Sequence, residues 1–152
     1  MYMKTWIMSF SDGKKQVYNE NFSKGVAAMG TYCRNKPERV IDDCRKYSPE
    51  KYEEKYNERK TNDGRKRNSL FRLAYEVGVK DVVYARKGFY QIVGRGVVTD
   101  TYAYDPHLFD DVPDLEWEHF VRVNWDPLFK RKVDFKLASQ GVILKEFDDS
   151  GI

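Results

Sequence analysis

Asp81-Val82-Val83-Tyr84-Ala85-Arg86-Lys87-Gly88-Phe89-Tyr90-Gln91-Ile92-Val93-Gly94-Arg95-Gly96-Val97-Val98 is the stretch on which the fold turns. Its β-branched and aromatic residues favour a pleated, half-buried surface over a helix. Lys87-Gly88 divides it and reads as a tight hairpin turn. Gly94 and Gly96 interrupt the second strand, and glycines so placed mark a bulge or a sharp bend. The sixteen residues around the turn therefore predict an antiparallel pair that bends, the unit from which small open barrels are built.

Upstream of that pair the period is helical. Leu70, Leu73, Ala74 and Val77 fall at i, i+3, i+4 and i+7, with Asn68 placed to cap the start and Gly78 the end. Nearer the N-terminus, Met3 to Phe10 reads as a strand and Ser11-Asp12-Gly13 as a turn. Val17 to Lys24 reads as a short helix stopped by Gly25, and Val26 to Gly30 as a small, buried strand. Pro37 to Lys46 has one apolar helical face (Val40, Ile41, Cys44). Ser48-Pro49 is a stronger start signal, with Ser48 as cap and Pro49 in the first turn of a helix running to about Lys60. That helix is polar nearly all round and reads as a solvated surface element. Downstream, Phe120 to Trp125 alternates as a strand, and Lys132–Leu137 and Val142–Leu144 supply two short ones. Strands with intervening helices give an α+β class: a small, bent open β-barrel with helices packed outside, in one domain over 1–152, carrying a polar helical insert at about 34–67.

Length and composition agree with one domain. The chain has 152 residues, of which 41% are hydrophobic and 15% aromatic, enough to build a core. No apolar run approaches the roughly 18–20 residues of a membrane span. Met1 to Phe10 is too interrupted for a signal peptide, so a cytoplasmic domain without membrane partners is expected. Two cysteines, Cys33 and Cys44, and two histidines, His107 and His119, do not make a zinc site. No metal or other cofactor is expected.

Charge is unevenly spread. Residues 34–67 hold twelve Lys and Arg against eight acids, whereas residues 100–118 hold seven acids and no Lys or Arg. One side of such a molecule suits a polyanion and the other repels it. Arg65-Lys66-Arg67 stands at the mouth of the Asn68 helix, where backbone N–H groups also favour phosphate. Arg86 and Lys87 at the hairpin tip and Arg95 on the returning strand extend that track. Catalytic signatures are missing: Gly94-x-Gly96 lacks the rest of a phosphate loop, and no nucleophile elbow or zinc-protease pattern is present. A non-enzymatic binding protein is the expectation.

The order of these segments resembles a known family. Trp6 on the first strand, Tyr18-Asn19-Glu20-Asn21-Phe22 on a short helix and Gly25-Val26-Ala27-Ala28-Met29-Gly30 come first. After the helical insert come Asn68 to Gly88, Gln91 to Thr99, Tyr102-x-Tyr104-Asp105, and Val121-x-Val123-x-Trp125. The order resembles EVE-like modules of the PUA superfamily, related in fold to YTH domains and found at the N-terminus of GTP-driven, modification-dependent restriction proteins. The resemblance covers about Trp6 to Trp125 and is strongest from Asn68 to Asp105. It implies a bent barrel and a module that flips a modified, typically methylated, base out of nucleic acid into an aromatic pocket, with DNA preferred over RNA. It also implies a GTPase or nuclease restriction partner, in cis or in trans. Stacking on aromatic rings offsets part of the cost of unstacking a base.

Relatives usually carry Gly-Trp at the end of the second strand, and this chain has Gly30-Thr31-Tyr32. Either Tyr32 takes the stacking role one position later, or the pocket or its target differs. The other pocket candidates are Trp6, Ser9, Tyr18 and Tyr84. Each aromatic among them serves equally as core, and Ser9 either meets a base edge or ends its strand. The rival reading is an RNA- or nucleotide-binding relative without modification preference, or an adaptor domain.

Overall fold

The structure is a computed structural model that describes residues 3–12, 15–31, 37, 40–56 and 69–152. Tyr32, Cys33, Arg65, Lys66, Arg67 and the Asn68 cap lie outside the described residues.

The fold is α+β. Strand β1 (Thr5–Ser9) leads through the small hairpin β2 (Ser11–Asp12) and β3 (Lys15–Gln16) into helix α1 (Tyr18–Lys24). Gly25 caps α1 with φ +65°, a left-handed conformation that favours glycine. Strand β4 (Val26–Met29) follows. The buried Asn21 ties the two together: its Nδ2 donates to Val17 O (2.8 Å) and its Oδ1 accepts from the Ala28 amide (2.9 Å). Past α2 (Pro49–Tyr56) and a π-helical turn (Arg72–Glu76) run β5 (Val82–Arg86), β6 (Gln91–Tyr104), β7 (His119–Asp126), β8 (Arg131–Lys132) and β9 (Leu144–Glu146).

Among the described residues seven strands form one sheet, in the order β4-β7-β6-β5-β1-β9, with β8 added to β6. The β1–β5 pair is parallel and the other pairs are antiparallel. The sheet is open, since β4 and β9 end the order without pairing with each other. Its bending is concentrated in β6, whose ladder to β7 slips between Val98 and Asp100 and again between Asp100 and Ala103.

Each face buries its own core. Trp6, Met8, Phe10, Val83 and Ala85 belong to the larger core, with α1, α2 and the π-helical turn packed over it. Ile7, Tyr84 and Ile92 point to the opposite face, where Leu137, Phe129, Val133, Phe147 and Ile152 of the C-terminal segment cover them. Full burial of each Ile or Leu there stabilises by about 1.5–3 kcal/mol, so the segment after β7 is an integral layer.

Several sequence expectations change. The hairpin turn is not Lys87-Gly88 alone: it spans Lys87–Tyr90, closed by Lys87 N–H to Gln91 O (2.9 Å), with Gly88 at φ +72°. Gly94 does flank a register shift, because Ala85 pairs with Gly94 while Arg86 pairs with Ile92. Gly96 sits in regular pairing, and what requires glycine there is space: a Cβ would lie 2.3 Å from Val123 Cγ1. From Val40 to Lys46 only Cys44–Lys46 is helical, as a 3₁₀ turn. The cause is local: Asp42 accepts from the Asp43 amide (2.7 Å) and Asp43 from the Arg45 amide (3.0 Å), bonds that compete with an α-helix. Ser48 does cap α2, accepting from the Lys51 amide at 3.2 Å. Yet α2 is not simply solvated. Tyr52 and Tyr56 are buried, and the Tyr52 ring lies 5.5–5.6 Å from those of Phe71 and Tyr75. Of the two late strands the first is shorter than read, Arg131–Lys132, and the second lies two residues further on, Leu144–Glu146.

Candidate nucleic-acid interface

Parallel pairing of β1 with β5 decides where the pocket candidates go. Trp6 lies opposite Val83 and Ile7 opposite Tyr84, so Trp6 and Tyr84 face opposite sides of the sheet. They cannot line one pocket. Trp6 is fully buried and donates from Nε1 to Asp81 Oδ2 (2.9 Å), which makes it a core residue. Tyr84 is buried between Phe129 and Phe147, with its hydroxyl on Asp149 Oδ2 at 2.8 Å. Burial pushes its ionisation upward, and the facing Arg95 opposes that shift. Arg95 is half-buried, its guanidinium 5.8 Å from the Tyr84 ring, so it is not a free end of a phosphate track.

The same pairing brings two candidates together, and a third reaches the backbone of one of them from the larger core. Ser9 and Arg86 are register partners at the carboxyl ends of β1 and β5. The Tyr18 hydroxyl donates to Arg86 O (2.5 Å) and lies 3.4 Å from Ser11 Oγ. Tyr18 is buried and Ser9 half-buried, so the cluster lies at the edge of the core.

Arg86 itself departs from the expected exposed phosphate contact. It is 6% exposed. Nη1 donates to Gly88 O (2.9 Å) and Nη2 to Val142 O (2.5 Å), while the buried Nε has no hydrogen-bond partner among the described residues. Among the described residues no carboxylate pairs with it. Burial lowers its affinity for the proton, and the nearby Tyr18 only partly opposes this. A buried cation without a counter-ion costs several kcal/mol, and an orphaned N–H adds about 1–3 kcal/mol. The Phe89 ring, 5.6 Å from the guanidinium, returns a fraction of that.

A second polar cluster sits where β4 runs out toward Tyr32. Tyr102 Oη is 2.6 Å from His119 Nδ1 and accepts from the Cys44 amide (3.1 Å). His119 Nε2 reaches Ile41 O (3.1 Å) and Glu118 Oε1 (3.2 Å), and Glu118 Oε1 also accepts from the Thr31 amide (3.1 Å) and hydroxyl (3.0 Å). The directions that satisfy every group put the Tyr102 proton on Nδ1 and the imidazole proton on Nε2. His119 is thus a buried structural joint. Its spacing does not announce this, because its partners other than Glu118 lie 17 to 88 residues away. Burial pushes the Cys44 thiol up to about 12, so it has none of the thiolate character of a nucleophile. His107 is exposed and its Nδ1 lies 2.9 Å from Asp110 Oδ2. Among the described residues no cluster of three His, Cys, Asp or Glu side chains is spaced to hold a metal ion, and no helix is long and apolar enough to cross a membrane.

Charge is separated along β6. Its start, at Gln91, lies beside the exposed Lys87, Arg131 and Lys132, and its end, at Tyr104, leads into the acidic segment 105–118. That segment is fixed by a Lys24–Asp111 ion pair (2.8 Å) and by Lys15 on Pro113 O. Fourteen residues of strand separate the two, roughly 45 Å of contour. The basic end was legible in Phe129-Lys130-Arg131-Lys132, a triplet as dense as Arg65-Lys66-Arg67.

No curated protein matches the chain. Residues 6–142, nearly all of the sheet and both of the clusters just described, match one protein family over well more than half of the chain, and the chain belongs to that family, described as a domain of unknown function (DUF8426).

Proposed function

We propose that this protein is a non-enzymatic nucleic-acid-binding module that reads a modified, methylated base in DNA, extruded from the stack, and so directs a cytoplasmic restriction or defence system with a GTPase or nuclease partner. Its open, bent sheet then corresponds to the PUA-like barrel that the sequence resemblance implies. The observation that carries the reading is Arg86: a buried guanidinium with no carboxylate and no partner for Nε among the described residues, at the strand end beside Ser9, with its backbone carbonyl held by Tyr18. Structural arginines are normally paired, because an uncompensated charge is costly. A ligand acceptor, such as a base carbonyl or ring nitrogen, would complete this one. The Ser9 hydroxyl, on the Ile7 and Tyr84 side of the sheet, supplies a further polar contact, Tyr18 holds the Arg86 backbone from the larger core on the other side, and Tyr32 remains the stacking residue of this reading. Trp6 and Tyr84 are not part of it.

The test compares binding of methylated and plain duplexes by fluorescence anisotropy for the wild type, Arg86→Gln and Arg86→Lys. A lost charge-assisted hydrogen bond is worth about 1.5–3 kcal/mol, or about ten- to hundredfold in affinity. The expected result is loss of that factor for the methylated duplex only, with Arg86→Lys no better than Arg86→Gln, since lysine lacks an Nε–H on the strand side. Variants that keep a cooperative melting transition and lose neither duplex, or both equally, would remove Arg86 from the site.

A further inference from the structure

We infer that the Lys87–Tyr90 turn and β8 form a binding strip for a single nucleic-acid strand, in which Lys87, Arg131, Lys132 and Lys136 hold phosphates and Tyr90 stacks one unpaired base. The inference rests on the reading of the protein as a nucleic-acid binder, but not on any modified base.

The strip is built by backbone hydrogen bonds. Val133 N–H donates to Tyr90 O (3.0 Å) and Leu137 N–H to Phe89 O (2.8 Å), while Gln91 pairs with Lys132 and Ile92 with Arg131. These bonds lay residues 131–137 alongside the turn. Leu137 and Ile92 beneath are fully buried, so the strip stands on the C-terminal core layer and not on a loose loop.

Its chemistry is cationic and aromatic together. From Phe129 to Lys136 the chain carries four cations and one acid, Asp134. Lys87, Arg131, Lys132 and Lys136 are all exposed. Two of them are placed over rings: the Arg131 guanidinium lies 4.3 Å from the Phe129 centroid, and Lys136 Nζ lies 4.7 Å from that of Phe89, whose ring Arg86 also approaches. None of the four cations is paired with an acid among the described residues. Tyr90, between Lys87 and Lys132 in this arrangement, is 54% exposed. More than half of the residue's surface is open to solvent and available to another planar group. Duplex DNA offers phosphates but no base faces; a single strand offers both, and interleaved cations and aromatics are what single-strand sites use. The acidic segment at the far end of β6 would repel the same strand, which limits the path to this end of the sheet.

The experiment uses a fluorescein-labelled, unmodified oligothymidylate and a plain duplex of equal length, titrated over a range of salt. Tyr90→Ala is expected to weaken oligothymidylate binding by about five- to hundredfold, the value of one base stack, while Tyr90→Phe retains it. The salt slope should not move in either. Lys132→Ala with Lys136→Ala should lower the slope by about 1.4, at about 0.7 per phosphate of a single strand. All these side chains are exposed, and unchanged melting transitions will confirm that the fold is intact. An unchanged slope in the double variant, or wild-type affinity in Tyr90→Ala, overturns the inference. So does tighter binding of the duplex than of the oligothymidylate with no response to Tyr90→Ala. None of these readouts compares a modified base with its unmodified form, so their failure is distinct from failure of the Arg86 test.

Discussion

Asp81 holds three donors through one carboxylate, and its removal tests the assignment of Trp6 to the core. Asp81 is buried. Its Oδ1 accepts from the Lys4 amide and its Oδ2 from Trp6 Nε1 and the Gly78 amide, each at 2.9 Å. In Asp81→Ala three donors lose their acceptor. A buried donor left unsatisfied costs about 1–3 kcal/mol, which would give about 3–9 kcal/mol in total. The Lys4 and Gly78 amides are only partly buried, so water satisfies them in part and the lower end, about 3–5 kcal/mol, is expected. The indole N–H lies deep and has no such relief. Trp6→Phe alone should cost about 1–3 kcal/mol through the lost bond and volume. In the double variant the indole donor is already absent, so the two losses should fall short of their sum by about 1–2 kcal/mol. Urea unfolding followed by far-UV circular dichroism, with matched slopes, measures all four corners of the cycle. Additivity within about 0.5 kcal/mol would refute the indole–carboxylate bond and reopen Trp6 as a ligand contact.

Two further outcomes follow from packing and burial. Gly96→Ala should destabilise by about 1–3 kcal/mol in the same urea assay, because its Cβ would meet Val123 Cγ1 at 2.3 Å and Asn124 O at 3.0 Å; a neutral effect would mean that β6 and β7 are not this close. In a Cys33→Ser background the Cys44 thiol, raised to about 12 by burial, should resist iodoacetamide at pH 8 until urea unfolds the chain. The sign of its pH linkage follows: the folded state holds the proton longer than the unfolded state, so this contribution to stability is complete below about pH 8.5 and declines as pH rises toward 12. Urea midpoints that do not fall between pH 8 and 10 relative to Cys44→Ala would contradict it.

Strand positions were legible because alternation and turn residues are local signals. Val82–Arg86, Val26–Met29 and the His119–Asp126 strand lie where their patterns put them. Face was not legible, because it depends on register with a strand more than seventy residues away. A slip of one residue in the β1–β5 pairing would turn Trp6 toward the side of Tyr84, and nothing in either strand's own sequence forbids that. The error over α2 is of another kind. Its mean polarity hid two tyrosines four residues apart, and a tyrosine can dock its ring while its hydroxyl stays satisfied. Arg86 was misplaced for a similar reason: position at a turn suggested exposure, whereas the C-terminal segment, read as two short strands, folds back to cover it.

The path of the C-terminal segment links the two proposed sites. Val142 O holds Arg86 from above, while residues 131–137 of the same segment run beside the turn whose Gly88 O holds it from the side. Phe89 lies within reach of both Arg86 and Lys136, so one ring is shared by the buried cation and the exposed strip. A strand lying on the strip would meet the rim of the Arg86 cluster without any rearrangement of the sheet. The Lys87–Tyr90 turn stands between the two, its Gly88 carbonyl taking Nη1 of Arg86 while Nε is left for a ligand. Gly88 has a positive φ and no atom within 4 Å of a Cβ built on it, so a side chain there would meet backbone strain and no steric contact. Replacing Gly88 with Ala would therefore strain the turn without steric contact, by about 1 kcal/mol. If the turn gates Arg86, Gly88→Ala should alter discrimination between methylated and plain duplexes while leaving oligothymidylate's salt slope intact; equal changes in both would mean that the cluster and the strip are one surface.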